Sequence, residues 1–268
     1  MGRLIFFCSF VESSNKMILI KKIFAYPLTI LFYILFGLIL LIFHPIQVLC
    51  HRLSGYHAHK KSVDIMNIII LNCFSVIGAS IKFEGFKKLP ANRPMIIVSN
   101  HQSAWDIPPV VWGFRKHHPK FISKIELSKH IPSISYNIKH GGSVIIDRKN
   151  GSQSVRELIK LGEKIEKNNY SVCIFAEGTR SVDGQMRKFQ SGGIRTLLKA
   201  SPSAIIVPFV INGNSNLQPN KSWVMQLGVK LSYTVLDPIE PGNRSAEDLV
   251  TETEDIIRNS LMNENKNS

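Results

Sequence analysis

A histidine and a carboxylate, five positions apart, follow directly on an apolar run in Asn100-His101-Gln102-Ser103-Ala104-Trp105-Asp106. Imidazole exchanges a proton near neutral pH. A carboxylate on its second ring nitrogen fixes the tautomer and stabilises the imidazolium that forms. Such a pair suits removal of a hydroxyl proton as the oxygen attacks an acyl group. The nucleophile would then be the substrate's own hydroxyl, and no serine is needed. Five steps of a regular helix turn the chain by about 500°, so the two side chains do not stack on one helix. They are expected in a loop or across a strand-to-helix turn, with Pro108 and Pro109 near the start of the next helix. Alone, the spacing is equally that of a capping aspartate beside a surface histidine.

Other runs end in residues suited to hydroxyls or phosphate. In Phe175-Ala176-Glu177-Gly178-Thr179-Arg180-Ser181, apolar residues give way to an acid, a glycine and an arginine. Glycine lets the backbone turn and approach a ligand closely. Glu177 can accept hydrogen bonds from glycerol hydroxyls, and the planar fork of Arg180 matches phosphate. In Gly141-Gly142-Ser143-Val144-Ile145-Ile146-Asp147-Arg148 an apolar strand ends in an Asp-Arg step. Arg148 is either a second phosphate contact or a strand-end partner of Asp147. Pro208, inside Ile206-Val207-Pro208-Phe209-Val210, is costly in a central strand and so marks an edge or a bulge. It could equally shape an acyl channel. No Ser or Cys occupies an evident nucleophile elbow, which favours direct transfer without an acyl-enzyme.

Positioning these residues falls to an alternation of short β-rich runs and helical ones. Strands are expected at Met95–Ser99, Ser143–Ile146, Ser171–Phe175, Ala204–Ile211 and Leu227–Leu236. Between Ser154 and Lys167, Val155, Leu158, Ile159 and Ile165 share one helical face opposite lysines and glutamates. Further helices are expected at Ser191–Lys199 and Ser245–Leu261. The pattern predicts an α/β domain with a mixed or largely parallel sheet flanked by helices. In such folds ligands gather at the carboxyl ends of the strands, and both motif blocks begin there.

Residues 23–43 carry no charge and are almost wholly apolar. A helix of that length reaches about 30 Å, one hydrocarbon thickness. The run is too long for a cleaved signal peptide, and no small-residue cleavage site follows. A weaker apolar stretch, Val63 to Ala79, is interrupted by Asp64, Asn67 and Asn72. It is either a core helix behind one spanning anchor or the second limb of a hairpin. The expected division is therefore a membrane-associated helical region, 1–80, and an α/β domain, 81–268. With 33 Lys and Arg against 19 Asp and Glu, the net charge is +14. Such a surface attracts anionic lipid or phosphorylated substrates. No nucleic-acid-binding motif accompanies it, so nucleic acid is not expected as a partner. The four cysteines lack C-x-x-C spacing, which argues against zinc.

The blocks at His101–Asp106, Gly141–Arg148 and Glu177–Arg180, with Pro208 after them, resemble in order and spacing the glycerophospholipid acyltransferase family. The resemblance covers roughly residues 80–240, and the apolar N-terminal region also fits. It implies transfer of a fatty acyl group from acyl-CoA or acyl-carrier protein to the sn-2 hydroxyl of 1-acylglycerol-3-phosphate (lysophosphatidic acid), giving phosphatidic acid. It implies that His101 is the general base and Asp106 its partner. It further implies that Arg148, Glu177, Gly178, Thr179 and Arg180 hold the glycerol-phosphate, and that Pro208 lies near the acyl site. Neither metal nor organic cofactor is expected. The place would be a cell inner membrane, with the catalytic domain facing the cytoplasm. One departure stands out. Where the family often has Phe-Lys-x-Gly, this chain has Phe189-Gln190-Ser191-Gly192, with Lys188 one position early. That puts one phosphate contact and the exact acceptor in question. The alternatives are another lysolipid, glycerol-3-phosphate, or a non-catalytic lipid-binding protein of the same fold. A metal-dependent phosphoesterase would need more clustered His and carboxylate ligands than one pair.

Overall fold

The N-terminal helix α1 (Gly2–Cys73) doubles back on itself at Gly55, whose φ of 71° and ψ of −158° lie where essentially only glycine resides. Contacts across the bend pair residues from its two limbs. Gln47 meets Met66 and the rings of His51 and His59 lie side by side, while Phe74, just past the second limb, packs on Phe32. The two limbs are thus antiparallel. This is a computed structural model, describing residues 2–124, 131–147, 150–181 and 184–266, with side chains from residue 23 onward.

After α1 come β1 (Ser80–Glu84), β2 (Met95–Ser99), α2 (Ile107–Gly113), β3 (Pro119–Lys124) and α3 (Ile134–His140). Then follow β4 (Val144–Ile146), α4 (Gly151–Asn168), β5 (Ser171–Phe175), α5 (Ser191–Ala200), β6 (Ile205–Asn212), β7 (Lys230–Val235) and α6 (Ala246–Lys266). The strands form one seven-stranded sheet in the order β1-β7-β6-β2-β5-β3-β4. Pairing is parallel except between β6 and β7, so β1 and β7 run against the other five.

Every residue of β2 is buried, because parallel strands and helices cover it on all sides. Such a strand reads as an unbroken apolar run. Its side chains still alternate. Met95 and Ile97 join Phe32, Leu71, Phe74, Trp105 and Val110 on the face covered by α1 and α2. Ile96 and Val98 join Leu158, Leu161, Ile194, Leu197 and Ile257 on the face covered by α4, α5 and α6. Each such aliphatic side chain removed from water contributes about 1.5–3 kcal/mol. The helical hairpin is therefore part of the main core. Its second limb explains the polar interruptions: Asn67 bonds back to the Val63 carbonyl, and Asp64 pairs with Lys60.

The outer limb is apolar all round. Phe32 and Leu40 face the protein, while Ile23, Phe24, Ile30, Ile34, Leu38, Leu41 and Leu49 are exposed. Among the described residues, Ile23–Ile77 is the one helical stretch long and apolar enough to cross a membrane.

Pro208 does not sit on an edge. β6 is flanked by β2 and β7, with Val98 opposite Pro208. A bulge accommodates it. Phe209 pairs with Val235, but Ile206 bridges Ile239, so the chain beside β6 carries one extra residue there. The Ile206 N–H points to that neighbour. Two residues on, the imino nitrogen of Pro208 points the same way, and the lost donor falls where the ladder is already broken.

Candidate active site

The carboxyl ends of β2 and β5 lie side by side, because Ser99 pairs with Phe175 in parallel register. Both motif blocks therefore leave the sheet at one edge, and β6 adds a third loop beside them. After β2 the chain makes a single 3-10 turn, Ala104–Asp106, before α2. Ser103 caps that turn by accepting the Trp105 N–H at 2.9 Å. Pro108, in the first turn of α2, fits because its missing donor is not needed there. This turn carries Asp106 back beneath His101.

His101 Nδ1 lies 2.7 Å from Asp106 Oδ2. The same oxygen accepts the N–H groups of Gln102 at 2.7 Å and Ser103 at 3.0 Å. An oxygen already taking two backbone donors is the acceptor for the ring, so Nδ1 carries the hydrogen and Nε2 presents a lone pair. Asp106 is wholly buried, while the His101 side chain keeps 18% of its surface exposed. The imidazole lies flat against Phe175, with ring centroids 4.0 Å apart and planes at 14°. Stacking and the carboxylate together leave the ring one orientation.

Glu177 follows β5 and is also buried. Its Oε1 accepts the His101 N–H at 2.7 Å, and its Oε2 accepts the Arg187 N–H at 2.9 Å. Burial pushes its carboxyl above the usual range, and the two backbone donors pull against that. The sequence assigns Glu177 to substrate hydroxyls; the structure gives each of its oxygens a backbone donor. It ties the His101 loop to the segment before α5. A second tie runs from Ser181 N to the His101 carbonyl at 2.8 Å.

Gly178, Thr179 and Arg180 form the turn beyond Glu177. Thr179 and Arg180 are exposed, and Arg180 has no ion-pair partner among the described residues. Pro208 is buried and shares the sheet face of Ile206 and Val210, on the side away from α1. Arg148 lies outside the described residues. The strand before it, β4, is three places from β2, about 14 Å across the sheet. Three residues of the site give no signal in spacing. Phe175 reads only as the end of a strand. Asn214 donates to Asp106 Oδ1 at 2.7 Å, and Tyr233 donates to Asn214 Oδ1 at 2.9 Å, from far along the chain.

The Acyltransferase family matches residues 80–212, from β1 to the end of β6, and so spans the His101–Asp106 pair and the Glu177 loop. The chain belongs to the acyltransferase family. An uncharacterised acyltransferase of Schizosaccharomyces pombe is 28% identical over 193 residues, covering 70% of this chain and 67% of that one. The 1-acyl-sn-glycerol-3-phosphate acyltransferase of Saccharomyces cerevisiae is 26% identical over 189 residues, covering 70% and 60%. The crystal structure of the 1-acyl-sn-glycerophosphate (LPA) acyltransferase PlsC from Thermotoga maritima superimposes with a TM-score of 0.77. It is 25% identical, and the match covers 91% of this chain and 97% of that one. For an acyltransferase the two central requirements are a base for the acceptor hydroxyl and a surface for the acyl chain. The His101–Asp106 pair and the apolar face of α1 lie on the same molecule, joined through Trp105. The rings of Phe32 and Phe36, from α1, meet Trp105 edge-on at 5.2 and 5.1 Å.

Proposed function

We propose that this acyltransferase moves a fatty acyl group from a thioester, acyl-CoA or acyl-carrier protein, to the sn-2 hydroxyl of 1-acylglycerol-3-phosphate, making phosphatidic acid. The supporting observation is His101, its Nδ1 held by buried Asp106 at the shared carboxyl edge of β2 and β5. Relatives named for that reaction carry the choice of acceptor. His101 Nε2 takes the hydroxyl proton as the oxygen attacks the thioester carbonyl. The tetrahedral adduct collapses, the C–S bond breaks, and the departing thiolate takes the proton from the imidazolium. Asp106 stabilises that imidazolium without taking its proton.

Exposed Arg180 meets the acceptor phosphate, and Arg148 is a second phosphate contact. Glu177 positions His101 through the backbone, and Gly178 and Thr179 shape the turn that presents Arg180. Pro208 backs the site from within the sheet, on the face away from α1. The exposed apolar face of α1 lies in a bilayer, where a single-chain acceptor is found. The hairpin enters from one side, and the +14 charge favours an anionic inner-membrane surface facing the cytoplasm. The test is to supply membranes holding the protein with labelled acyl-CoA or acyl-carrier protein and a panel of lysolipids, identifying products by mass. Phosphatidic acid as the main product supports the reading. Acylation of a lysolipid with a headgroup, or of glycerol-3-phosphate, would replace the acceptor. No acyl product from any combination would leave a lipid-binding role.

A further inference from the structure

We propose that Asn214, held by Tyr233, is a positioning residue for acyl transfer: it anchors the Asp106 carboxylate in the orientation that His101 requires. The inference rests on His101 acting as general base. Asn214 lies two residues beyond the region the family match covers.

Asp106 is wholly buried, so both of its oxygens need donors from the protein. Oδ2 has three: the His101 ring and the N–H groups of Gln102 and Ser103. All three come from the same short stretch of chain. Oδ1 is served by Asn214 Nδ2 at 2.7 Å, from the loop after β6. Three local donors fix one oxygen and leave the carboxylate able to rotate about it. The fourth, from the loop after β6, stops that rotation.

An amide can present either end. Here the choice is made by Tyr233, fully buried on β7, whose hydroxyl donates to Asn214 Oδ1 at 2.9 Å. With its oxygen occupied, the amide turns its N–H₂ group to Asp106. Ser215 N bonds Gln102 Oε1 at 3.2 Å, a second tie between this loop and the His101 motif. The chain Tyr233–Asn214–Asp106–His101 therefore runs unbroken from β7 to Nδ1 of the ring whose Nε2 takes the proton.

The other titratable groups that face the pair are Cys173 on β5 and Glu177 after it, with Tyr233 on β7. Replacing Asn214 leaves Cys173 and Glu177 in place but takes the acceptor from the Tyr233 hydroxyl. The Asn214 amide N–H draws off part of the Asp106 charge. Without it the carboxylate is free to turn, and the imidazole loses the fixed partner that holds its orientation.

The experiment is steady-state kinetics on wild type, Asn214→Leu, Tyr233→Phe, His101→Ala and the double variant Asn214→Leu/His101→Ala, each checked for a cooperative melt. Asn214→Leu is expected to lower kcat about tenfold or more with both KM values little changed. Tyr233→Phe should lower kcat by less, again at unchanged KM. A residue that acts through His101 costs nothing more once His101 is gone, so the double variant should match His101→Ala within about twofold. A merely structural loss would add to that of His101→Ala. If Asn214→Leu folds with kcat near wild type, or if the two losses add, the proposal is overturned. If that variant does not fold, an unchanged kcat in Tyr233→Phe overturns it instead. Near-wild-type activity in His101→Ala overturns the base reading. Activity that falls with His101 yet ignores Asn214 overturns the positioning role alone.

Discussion

His101 is committed on one side, where Nδ1 is taken by Asp106, and in the proposed reaction its Nε2 serves the acceptor hydroxyl. His101→Ala should lower turnover about 10²–10⁴-fold or more while the melting temperature stays near wild type, because a partly exposed side chain is lost. Near-normal turnover would end the mechanism. Asp106→Asn should cost heavily as well, since an amide there can offer the ring the wrong tautomer. Arg180→Ala should raise the KM for a phosphorylated acceptor and leave the acyl donor's unchanged. Lysine should rescue it only in part, because an ammonium lacks the planar fork. An effect confined to the donor would remove Arg180 from the phosphate. Away from the site, Lys120 is almost fully buried on β3, donating to Tyr56 at 2.5 Å and to the Gly141 carbonyl at 2.8 Å. Burial first, then nearby Lys164 and Lys60, bring its amine down from 10.5 to about 7. Between those two pH values the unfolded chain binds the extra proton, so this residue makes stability rise with pH. Thermal melts from pH 6.5 to 9.5 should show wild type gaining on Lys120→Met as pH increases. Parallel curves would mean that Lys120 titrates normally.

Elements decide how the site is assembled, and here close backbone approach matters most. Gly213 ends β6 with φ at 89°, and a Cβ built on it would lie 2.1 Å from the Lys230 carbonyl oxygen. That turn delivers Asn214 to Asp106. Gly213→Ala should destabilise the protein measurably and lower activity further than the melt alone explains. Gly192→Ala, in α5 with open space around it, should be neutral or slightly stabilising. Equal melting temperatures for the two variants would contradict the packing at Gly213. The same contrast explains what could be read from the chain. β2 and β5 match their expected bounds because unbroken apolar runs ended by polar motifs have few alternatives. β3 escaped notice because lysines interrupt Pro119-Lys120-Phe121-Ile122-Ser123-Lys124, one of them buried by contacts no local pattern announces. α2 and α3 are seven residues each, too short to show a helical period. The His101–Asp106 pair was legible as spacing. Asn214 was not, since its partner lies 108 residues away and only the β2–β6 pairing brings them together.

At the scale of the whole molecule, one helix serves two environments. The outer limb of α1 exposes Ile23, Ile30, Ile34, Leu41 and Leu49, a surface larger than a soluble protein ordinarily leaves bare. Its other face is continuous with the core through Phe32, which is fully buried against Phe74 and Trp105. Polar links run the same way. Tyr33 accepts from Gln218 at 2.8 Å, and Gln218 accepts from Trp105 Nε1 at 2.9 Å. The membrane-facing limb thus supports the residue next to Asp106. The protein should stay with membranes through a high-salt wash and leave only with detergent, because salt screens charge and does not weaken apolar burial. Release by salt alone would mean that the exposed face meets no bilayer. Deleting residues 1–60 should not yield a soluble, active α/β domain. It removes Phe32, Tyr33 and Phe36 and leaves Trp105, Phe74 and the α1 face of the sheet uncovered, a loss of several large side chains at about 3–5 kcal/mol each. Set against the 5–15 kcal/mol that holds a typical domain together, that loss is enough to unfold it. The expected product is aggregated, without a cooperative melt. A monomeric residue 61–268 protein that melts cooperatively and acylates a water-soluble short-chain acceptor would show that the hairpin only tethers the enzyme.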